Sequence, residues 1–588
     1  MSGAAGAPDA RRPLLDPATL EVLRHRFFAV AEEMGAALIR TAYATNIKDR
    51  RDCSCAVFTP GGDVIAQAEH IPIHLGVLPW GVKGALEWIR LNSLRPGDVV
   101  MHNDPFIGGT HTPDIIMFAP VFYQGRVIAL VGNLAHHVDV GGKVSGSLAP
   151  DAEEIFQEGI RFPPVRIQKE GRLDPEILAI HAHNVRTVYE SRGDLLAQLA
   201  ANHVGLTRVE EICREFGPGT VAAGIRELAD YCDRRMAAAI EDLPPGRYAF
   251  RDILEGDGIT PDPIEIRVEV EIGGERIRCD FTGTAPQTRG PLNAVRPMTL
   301  ACVYYVVKAL TDPSIPPNEG TYRRIDAVTP PGTLVNAVFP AATGYGNSVT
   351  CQRIVDVLLG AFAQAVPDQV CAAATGSMNA LHLGGVHPET GAFFSHIETY
   401  GGGYGGCARG DGESGVHTHM TNTRNAPVEV LETVLPVRVN RYGLVEESEG
   451  PGRHRGGFGI VRDVTFLGSE AECIIRTDRV DTPPWGLAGG LAARGARFSH
   501  VRGADRVALG SKARVRLRRG DRLVIETSGG GGWGAPAERD PAAVAADVAE
   551  GFISSARARE MYGVIVGTGG TVDEAATRRE RAQRAGRP

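Results

Sequence analysis

Two stretches rich in histidine and aspartate carry the residue types that could do chemistry. The first is His102-Asn103-Asp104-Pro105-Phe106-Ile107-Gly108-Gly109-Thr110-His111-Thr112-Pro113-Asp114, which places His111 and Asp114 at i, i+3 in a Gly/Pro loop just past an apolar strand at 98–102. The second follows another apolar strand, 127–133, and reads His136-His137-Val138-Asp139-Val140-Gly141-Gly142. Two strand ends that each deliver imidazole and carboxylate into neighbouring loops commonly build an N/O metal site. Neutral imidazole and carboxylate suit zinc, manganese or iron(II), and the lack of thiolate argues against a purely structural zinc. A further acidic group precedes both, in Lys48-Asp49-Arg50-Arg51-Asp52-Cys53-Ser54 at the start of the first strand. Taken singly, these histidines read as ordinary hydrogen-bonded residues, and Asp104 and Asp114 as turn or capping groups. Their density in two strand-end loops is what favours a metal.

The elements that must position these groups are legible in outline. Residues 20–44 carry Leu20, Leu23, Phe27, Val30, Met34 and Leu38 at helical spacing, with Asp16 before Pro17 as a helix start. Strand-like runs at 54–58 and 63–66 are joined by Gly61-Gly62 as a hairpin turn. A helix is expected over 79–92, and 175–236 reads as helical with a break at 217–219. From about 245 the texture alternates as strands do (248–254, 264–272, 276–281), with helices expected at 293–310 and 350–365. Past 437, strand and glycine-turn texture dominates to 534. The pattern gives a mixed α/β protein divided as a flexible tail 1–17, a metal-binding catalytic region 18–243, a central α/β region 244–436, a β-rich region 437–536 and a helical, charged tail 537–588, with 578–588 expected to be disordered.

Composition narrows the function classes. The 588 residues carry a net charge of −8, which offers no electrostatic reason to expect nucleic acid or an anionic membrane surface. No apolar run approaches the roughly 20 residues that span a bilayer, and the Ala/Gly/Pro-rich start lacks the apolar stretch of a signal peptide. The ten cysteines are scattered without a CxxC pair, so reduced thiols in a cytoplasmic protein are expected.

Other motifs read more plainly. Gly401-Gly402-Gly403-Tyr404-Gly405-Gly406 and the run 529–534 fit G-x-G-x-x-G but open no helix within a βαβ unit, which argues against a dinucleotide site. No G-x-x-x-x-G-K-[ST] occurs. Asp194, Gln198 and Asn202 share one helical face with Arg186 nearby, and are read as a solvated or inter-subunit face rather than a polar pocket. Arg453-His454-Arg455 reads as a turn with exposed charge.

Several of these stretches together resemble the hydantoinase B/oxoprolinase family: NDPFIGGTHTPD at 103–114, NLAHHVDVGG at 133–142, EHIPIHLG at 69–76, DFTGTAPQ at 280–287, EESEGPGRHRGG at 446–457 and GGGGWGAP at 529–536. The resemblance runs from about residue 20 to about 566. It implies a large multi-layer fold of the hydantoinase B type, with an N-terminal metal-binding α/β region, a central α/β region and a β-rich C-terminal region ending in a helical tail. It implies a divalent metal, zinc or manganese, held by Asp52, His111, Asp114 and His136. His137 and Asp139 then become supporting groups that orient His136 or a water, or accept its proton. Asp104 is expected to fix its loop, while Glu69, His70 and His74, on an apolar turn, are expected as pocket wall or support.

The implied activity is ATP-dependent hydrolysis of a cyclic amide, such as a hydantoin, 5-oxoproline or another lactam. The ATP would be used by a partner, a hydantoinase A-like protein with an actin-like ATPase fold, in a hetero-oligomer. Two alternatives stand beside it: the alpha-like component of a ketone carboxylase of the acetone type, and a non-catalytic scaffold stabilised by metal.

Overall fold

A computed structural model describes residues 15–567 and 569–585. The first helix, α1 (Pro17–Thr41), forms as its apolar spacing requires. Leu23, Phe27, Val30, Met34 and Leu38 are buried, Asp16 caps the start by accepting from the Thr19 N–H at 3.0 Å, and Pro17 occupies the first turn, where no N–H is needed. A short helix α2 (Thr45–Lys48) leads into β1 (Cys53–Phe58) and β2 (Val64–Gln67).

The next helix, α3, runs Pro72–Trp88, seven residues earlier at its start than expected. Pro72 is the N-terminal proline, and Pro79 sits inside the helix, where it withholds only one hydrogen bond. Strands β3 (Val99–His102), β4 (Asp114–Tyr123), β5 (Arg126–His136), β6 (Val165–Lys169) and β7 (Arg172–Leu173) complete a seven-stranded sheet of order β2-β1-β5-β4-β3-β6-β7. Helices α4 (Pro175–Asn184), α5 (Val188–Phe216) and α6 (Pro218–Glu241) follow. One face of the sheet packs on α1 and α5, the other on α3.

A four-stranded sheet of order β11-β10-β9-β8 comes next, from β8 (Gly246–Glu255), β9 (Pro263–Gly273), β10 (Arg276–Asp280) and β11 (Ile325–Val328). It shares the largest core cluster with α7 (Arg296–Leu310) and a later helix, α9 (Cys351–Phe362), while α8 is the short Glu319–Tyr322. A π-helical turn, Gly346–Thr350, feeds α9.

The C-terminal third is a sandwich. β12 (Asn379–Val386) and β13 (Phe393–Tyr400) pair with β16 (Glu470–Arg476) and β19 (Lys512–Arg518). β14 (Val437–Leu444), β15 (Ile460–Phe466), β17 (Arg497–Arg502), β18 (Asp505–Leu509) and β20 (Arg522–Glu526) form the opposing sheet. Leu381, Ile475 and Leu517 of the one meet Val464, Phe498 and Ile525 of the other in a common core. The first of these sheets therefore joins stretches on either side of residue 436, which sequence texture had separated.

The glycine runs are packing devices. Gly406 donates to Gly531 at 2.9 Å and Gly530 to Gly457 at 3.0 Å, and a Cβ on Gly456 would lie 1.7 Å from the Gly530 carbonyl. Three backbones approach too closely for side chains.

A short helix α10 (Val428–Val434) precedes β14, and the chain closes with α11 (Pro541–Ala549), α12 (Ser555–Tyr562) and α13 (Glu574–Ala585). Residues expected to be disordered from 578 are thus helical as far as 585. Arg581 ties them down by donating to the carbonyls of Tyr562 and Arg539 at 3.1 and 2.7 Å. Residues 586–588 lie outside the described residues, as do 1–14 of the expected tail, whose last member, Pro17, opens α1. Arg455 is likewise not an exposed charge. Its side chain is 13% exposed and its Nε lies 3.2 Å from the Asp547 carboxylate. All ten cysteines are free thiols, and among the described residues no helix is long and apolar enough to cross a membrane.

Candidate metal centre

Strand pairing assembles the centre. β1 and β4 both run antiparallel to β5, so the start of β1, the end of β5 and the start of β4 lie side by side. Asp114 sits opposite His136, and the His136 N–H donates to the carbonyl of Asp52 at 3.0 Å. Side chains alternate across a strand. Leu130 and Leu134 of β5 pack toward α3, whereas Val131 and Ala135 pack toward α1 and α5. By the same parity His136 faces α3 and His137 faces α5. Ile116 and Phe118 of β4 put Asp114 on the α3 side, as Ala56 and Phe58 of β1 do for Asp52. The first turn of α3 then adds His74.

His111, Asp114 and His136 are all buried, with one donor atom from each within 4.8 Å of the others. Nε2 of His111 is 3.3 Å from Oδ2 of Asp114. Its other ring nitrogen, Nδ1, bonds the Gly344 carbonyl at 3.0 Å, which fixes the ring with Nε2 turned to the cluster. Asn46 holds His136 from behind, its amide nitrogen 2.9 Å from Nδ1 and 2.6 Å from the His136 carbonyl. Thr110 donates to Oδ2 of Asp114, while Oδ1 has no partner among the described residues. His74 bridges two carboxylates, its Nε2 3.7 Å from Asp52 and 3.6 Å from Asp114.

Electrostatics follow from burial and these contacts. Burial alone would raise the Asp114 carboxyl, but His111, His74 and His136 outweigh it and hold the group far below the usual carboxylate range. His111 is raised in turn, because Asp114 overrides the penalty that burial places on its charged form. Burial lifts Asp52 against the pull of His74 and Arg50, and pushes His136 well down.

Two imidazoles and a carboxylate with an unpartnered oxygen form a donor set that fits a divalent zinc or manganese ion. His111 and His136 open on a cavity that is also walled by Arg50, Asp52, His74, Asn347, Met378 and Arg476. It gives the centres of water-sized groups only about 20 Å³, room for an ion and a water but not for a ring.

The four ligands implied by resemblance therefore separate into a cluster of three and a neighbour. Asp52 lines the same cavity but meets the cluster through His74. His137 and Asp139 are not brought to the cavity. His137 turns to the opposite face, where its Nε2 lies 3.0 Å from Oε1 of Gln198. Asp139 accepts from the N–H groups of Gly141, Gly146 and Arg186 and from the Arg186 guanidinium at 2.9 Å, so it closes its own loop. Asp194, Gln198 and Asn202, read as a solvated or inter-subunit face, are fully buried. Gln198 donates to Ile115 and Asn133, and Asp194 accepts from the backbone of Tyr43 and Ala44. Asp104 fixes its loop by accepting from the Phe106 N–H at 2.9 Å.

Asn46, Asn347 and Arg476 escaped sequence reasoning. Asn347 and Arg476 arrive from remote elements, and no local pattern marks them. For Asn46 a faint signal exists, its i, i+4 spacing with Arg50.

Comparison with known proteins agrees with this architecture. A D-/L-hydantoinase component of Pseudomonas sp. (strain NS671), itself assigned only provisionally, is 34% identical over 579 residues, covering 94% of this chain and 95% of that one. 5-Oxoprolinase 1 of Arabidopsis thaliana is 35% identical over 542 residues, which cover 88% of this chain but 42% of the relative. The crystal structure of an ATP-dependent caprolactamase from Pseudomonas jessenii superposes with a TM-score of 0.89 at 29% identity, covering 97% of this chain and 100% of the other. The family model described as hydantoinase B/oxoprolinase matches residues 16–536. This chain belongs to the hydantoinase B/oxoprolinase family.

Proposed function

We propose that the chain is the metal-dependent hydrolase component of an ATP-dependent cyclic-amide hydrolase, opening a hydantoin, 5-oxoproline or another lactam. The observation that carries this reading is the buried His111/Asp114/His136 cluster at a cavity, in a chain of this family. An unstrained amide resists water, and phosphorylation of its carbonyl oxygen would supply the missing leaving group. That step belongs in the proposal to a hydantoinase A-like ATPase partner. Support comes from a relative of the same length that is named as one subunit of a hydantoinase, from the ATP dependence named for the caprolactamase, and from a 5-oxoprolinase of which this chain spans 42%.

A zinc or manganese ion held by His111, Asp114 and His136, with Asp52 as a fourth donor, would polarise the electrophile and acidify water. The chain's own groups do the rest. Asn46, Gly344 and Thr110 aim the donors. His74, between Asp52 and Asp114, is the wall group placed to hold a proton and pass it on. The protein walls keep bulk water out, and they must part to admit a ring.

The test is to co-express the chain with a hydantoinase A-like partner and to follow ATP-dependent opening of 5-oxoproline, hydantoin and caprolactam, with elemental analysis of the same sample. Ring opening without bicarbonate is expected, whereas a strict bicarbonate requirement would favour a carboxylase. In His111→Ala both the metal and turnover should disappear. Turnover that survives loss of the metal would overturn the site.

A further inference from the structure

Five arginines rank among the largest fully buried side chains: Arg50, Arg353, Arg462, Arg476 and Arg479. Four have partners. Arg353 and Arg479 pair with Asp478 and Asp356 at 2.7 and 2.6 Å, Arg462 lies 3.4 Å from Glu398, and Arg50 donates to the Ile397 carbonyl and the Thr399 hydroxyl. Arg476 is the exception. It ends β16, opposite Ala380 of β12 and Lys512 of β19, and its side chain leaves that sheet to line the cavity of His111 and His136. Its guanidinium stacks 5.1 Å from the Tyr345 ring, while Nε and Nη1 have no hydrogen-bond partner among the described residues.

A buried guanidinium without an acceptor is costly, and a natural fold keeps one where something else completes it. Burial pushes this group down to about 10, so it stays charged at neutral pH. Asp52 in the lining and Asp114 in the adjoining cluster balance Arg50 and Arg476. A divalent ion at the cluster would therefore leave the cavity with a positive excess, before any imidazole is protonated.

We propose that Arg476 is the anion-recognition residue of this cavity, taking an anionic oxygen of the substrate, carboxylate or phosphoryl, on its free N–H groups. Arginine's planar fork suits either geometry. The substrate would then be a ring amide that bears a carboxylate or arrives phosphorylated. A neutral, unactivated lactam would leave Arg476 unpaired. Only the identity of that substrate rests on the ring-opening reading above.

The experiment needs neither partner nor ATP. Binding of inorganic phosphate and of acetate to the full chain is measured by calorimetry and thermal shift, for wild type, Arg476→Gln and Arg476→Lys, with metal content determined on each sample. Wild type should bind at least one of the two saturably. Arg476→Gln should weaken that binding at least tenfold with metal content unchanged, and Arg476→Lys should weaken it less, because it keeps the charge and loses the fork. Preference for phosphate assigns the site to a phosphoryl group, and preference for acetate to a carboxylate. Arg476 is overturned if wild type binds neither anion. It is also overturned if both variants bind as wild type does while only their melting temperatures move, the mark of a structural clamp on Tyr345. Intact anion binding without ring opening in the assembled complex would count against the proposed reaction and leave Arg476 standing.

Discussion

At the end of β5 two adjacent histidines lead to opposite faces of one sheet, and two buried aspartates nearby, Asp114 at the start of β4 and Asp139 in the loop after β5, differ in how their oxygens are engaged. Asp139 receives three backbone N–H groups and the Arg186 guanidinium, so both its oxygens are fully engaged. Among the described residues Asp114 receives one hydroxyl on Oδ2 and nothing on Oδ1, and has His74 and His111 beside it instead. Polar groups that are satisfied within the fold position the chain. Groups left open in the same dense interior have capacity for something that is not the chain. By this measure Asp139 is framework and Asp114 belongs to a site.

The largest effect that would sharpen this contrast is expected on the framework side. Asp139→Asn keeps the shape but turns an N–H₂ toward donors, and removes the charge that faces Arg186. Breaking such a buried pair costs about 3–5 kcal/mol, discounted toward the low end because Arg186 is partly exposed. Urea unfolding should show this loss while elemental analysis finds metal retained in the folded fraction. Loss of metal with stability unchanged would make Asp139 part of the site after all.

How much of this is readable in the sequence follows from the range of each interaction. α1 can be read from the spacing of Leu23, Phe27, Val30, Met34 and Leu38, because a helix meets its core through its own period. His111, Asp114 and His136 stand out because they sit at or beside strand ends that meet loops dense with glycine. The parity of β5 is also local, since the alternation of Leu130, Val131, Leu134 and Ala135 already separates His136 from His137. What cannot be read is what arrives from far along the chain. Asn347 comes from the π-helical turn and Arg476 from the C-terminal sandwich, and their place at the cavity depends on how sheets pack. The third sheet teaches the same lesson: β12 pairs with β16, a partner that no local pattern names.

Glu158 is buried and accepts from the Gly344 N–H at 2.7 Å; the Gly344 carbonyl in turn holds His111. Burial, opposed by the Gly344 and Thr343 N–H groups and by His111, pushes its carboxyl from 4.5 up to about 7. Below 4.5 the folded and unfolded chains are both protonated and the group is silent. As pH rises from there toward 7 the unfolded chain ionises first, so stability falls, and the loss levels off above 7. Between pH 5 and 8 this amounts to roughly 2.5 kcal/mol. Urea midpoints of wild type and Glu158→Gln should therefore diverge over that interval, with the Gln variant gaining relative stability at the alkaline end. Parallel midpoints would mean that Glu158 is ionised in the fold and belongs with the satisfied framework.

The smallest effect should fall on the open face alone. Asn46 touches no donor atom of the cluster except through His136, which it holds by ring and carbonyl while accepting from Arg50. Asn46→Ala leaves Arg50 its bonds to Ile397 and Thr399, so the fold loses little, but the His136 ring is free to turn. Groups that orient a ligand from behind are worth about 10–100-fold in metal affinity, so a loss of at least tenfold, about 1.4 kcal/mol, is expected. Competition with a chelator of known affinity reads it directly, and a urea midpoint close to wild type should accompany it. The pair of variants then separates the faces in opposite directions: Asp139→Asn lowers stability with metal held, and Asn46→Ala lowers metal affinity with stability held. If Asn46→Ala instead unfolds the chain and leaves affinity intact, the α3 face is framework as well, and its open atoms need another explanation than a ligand.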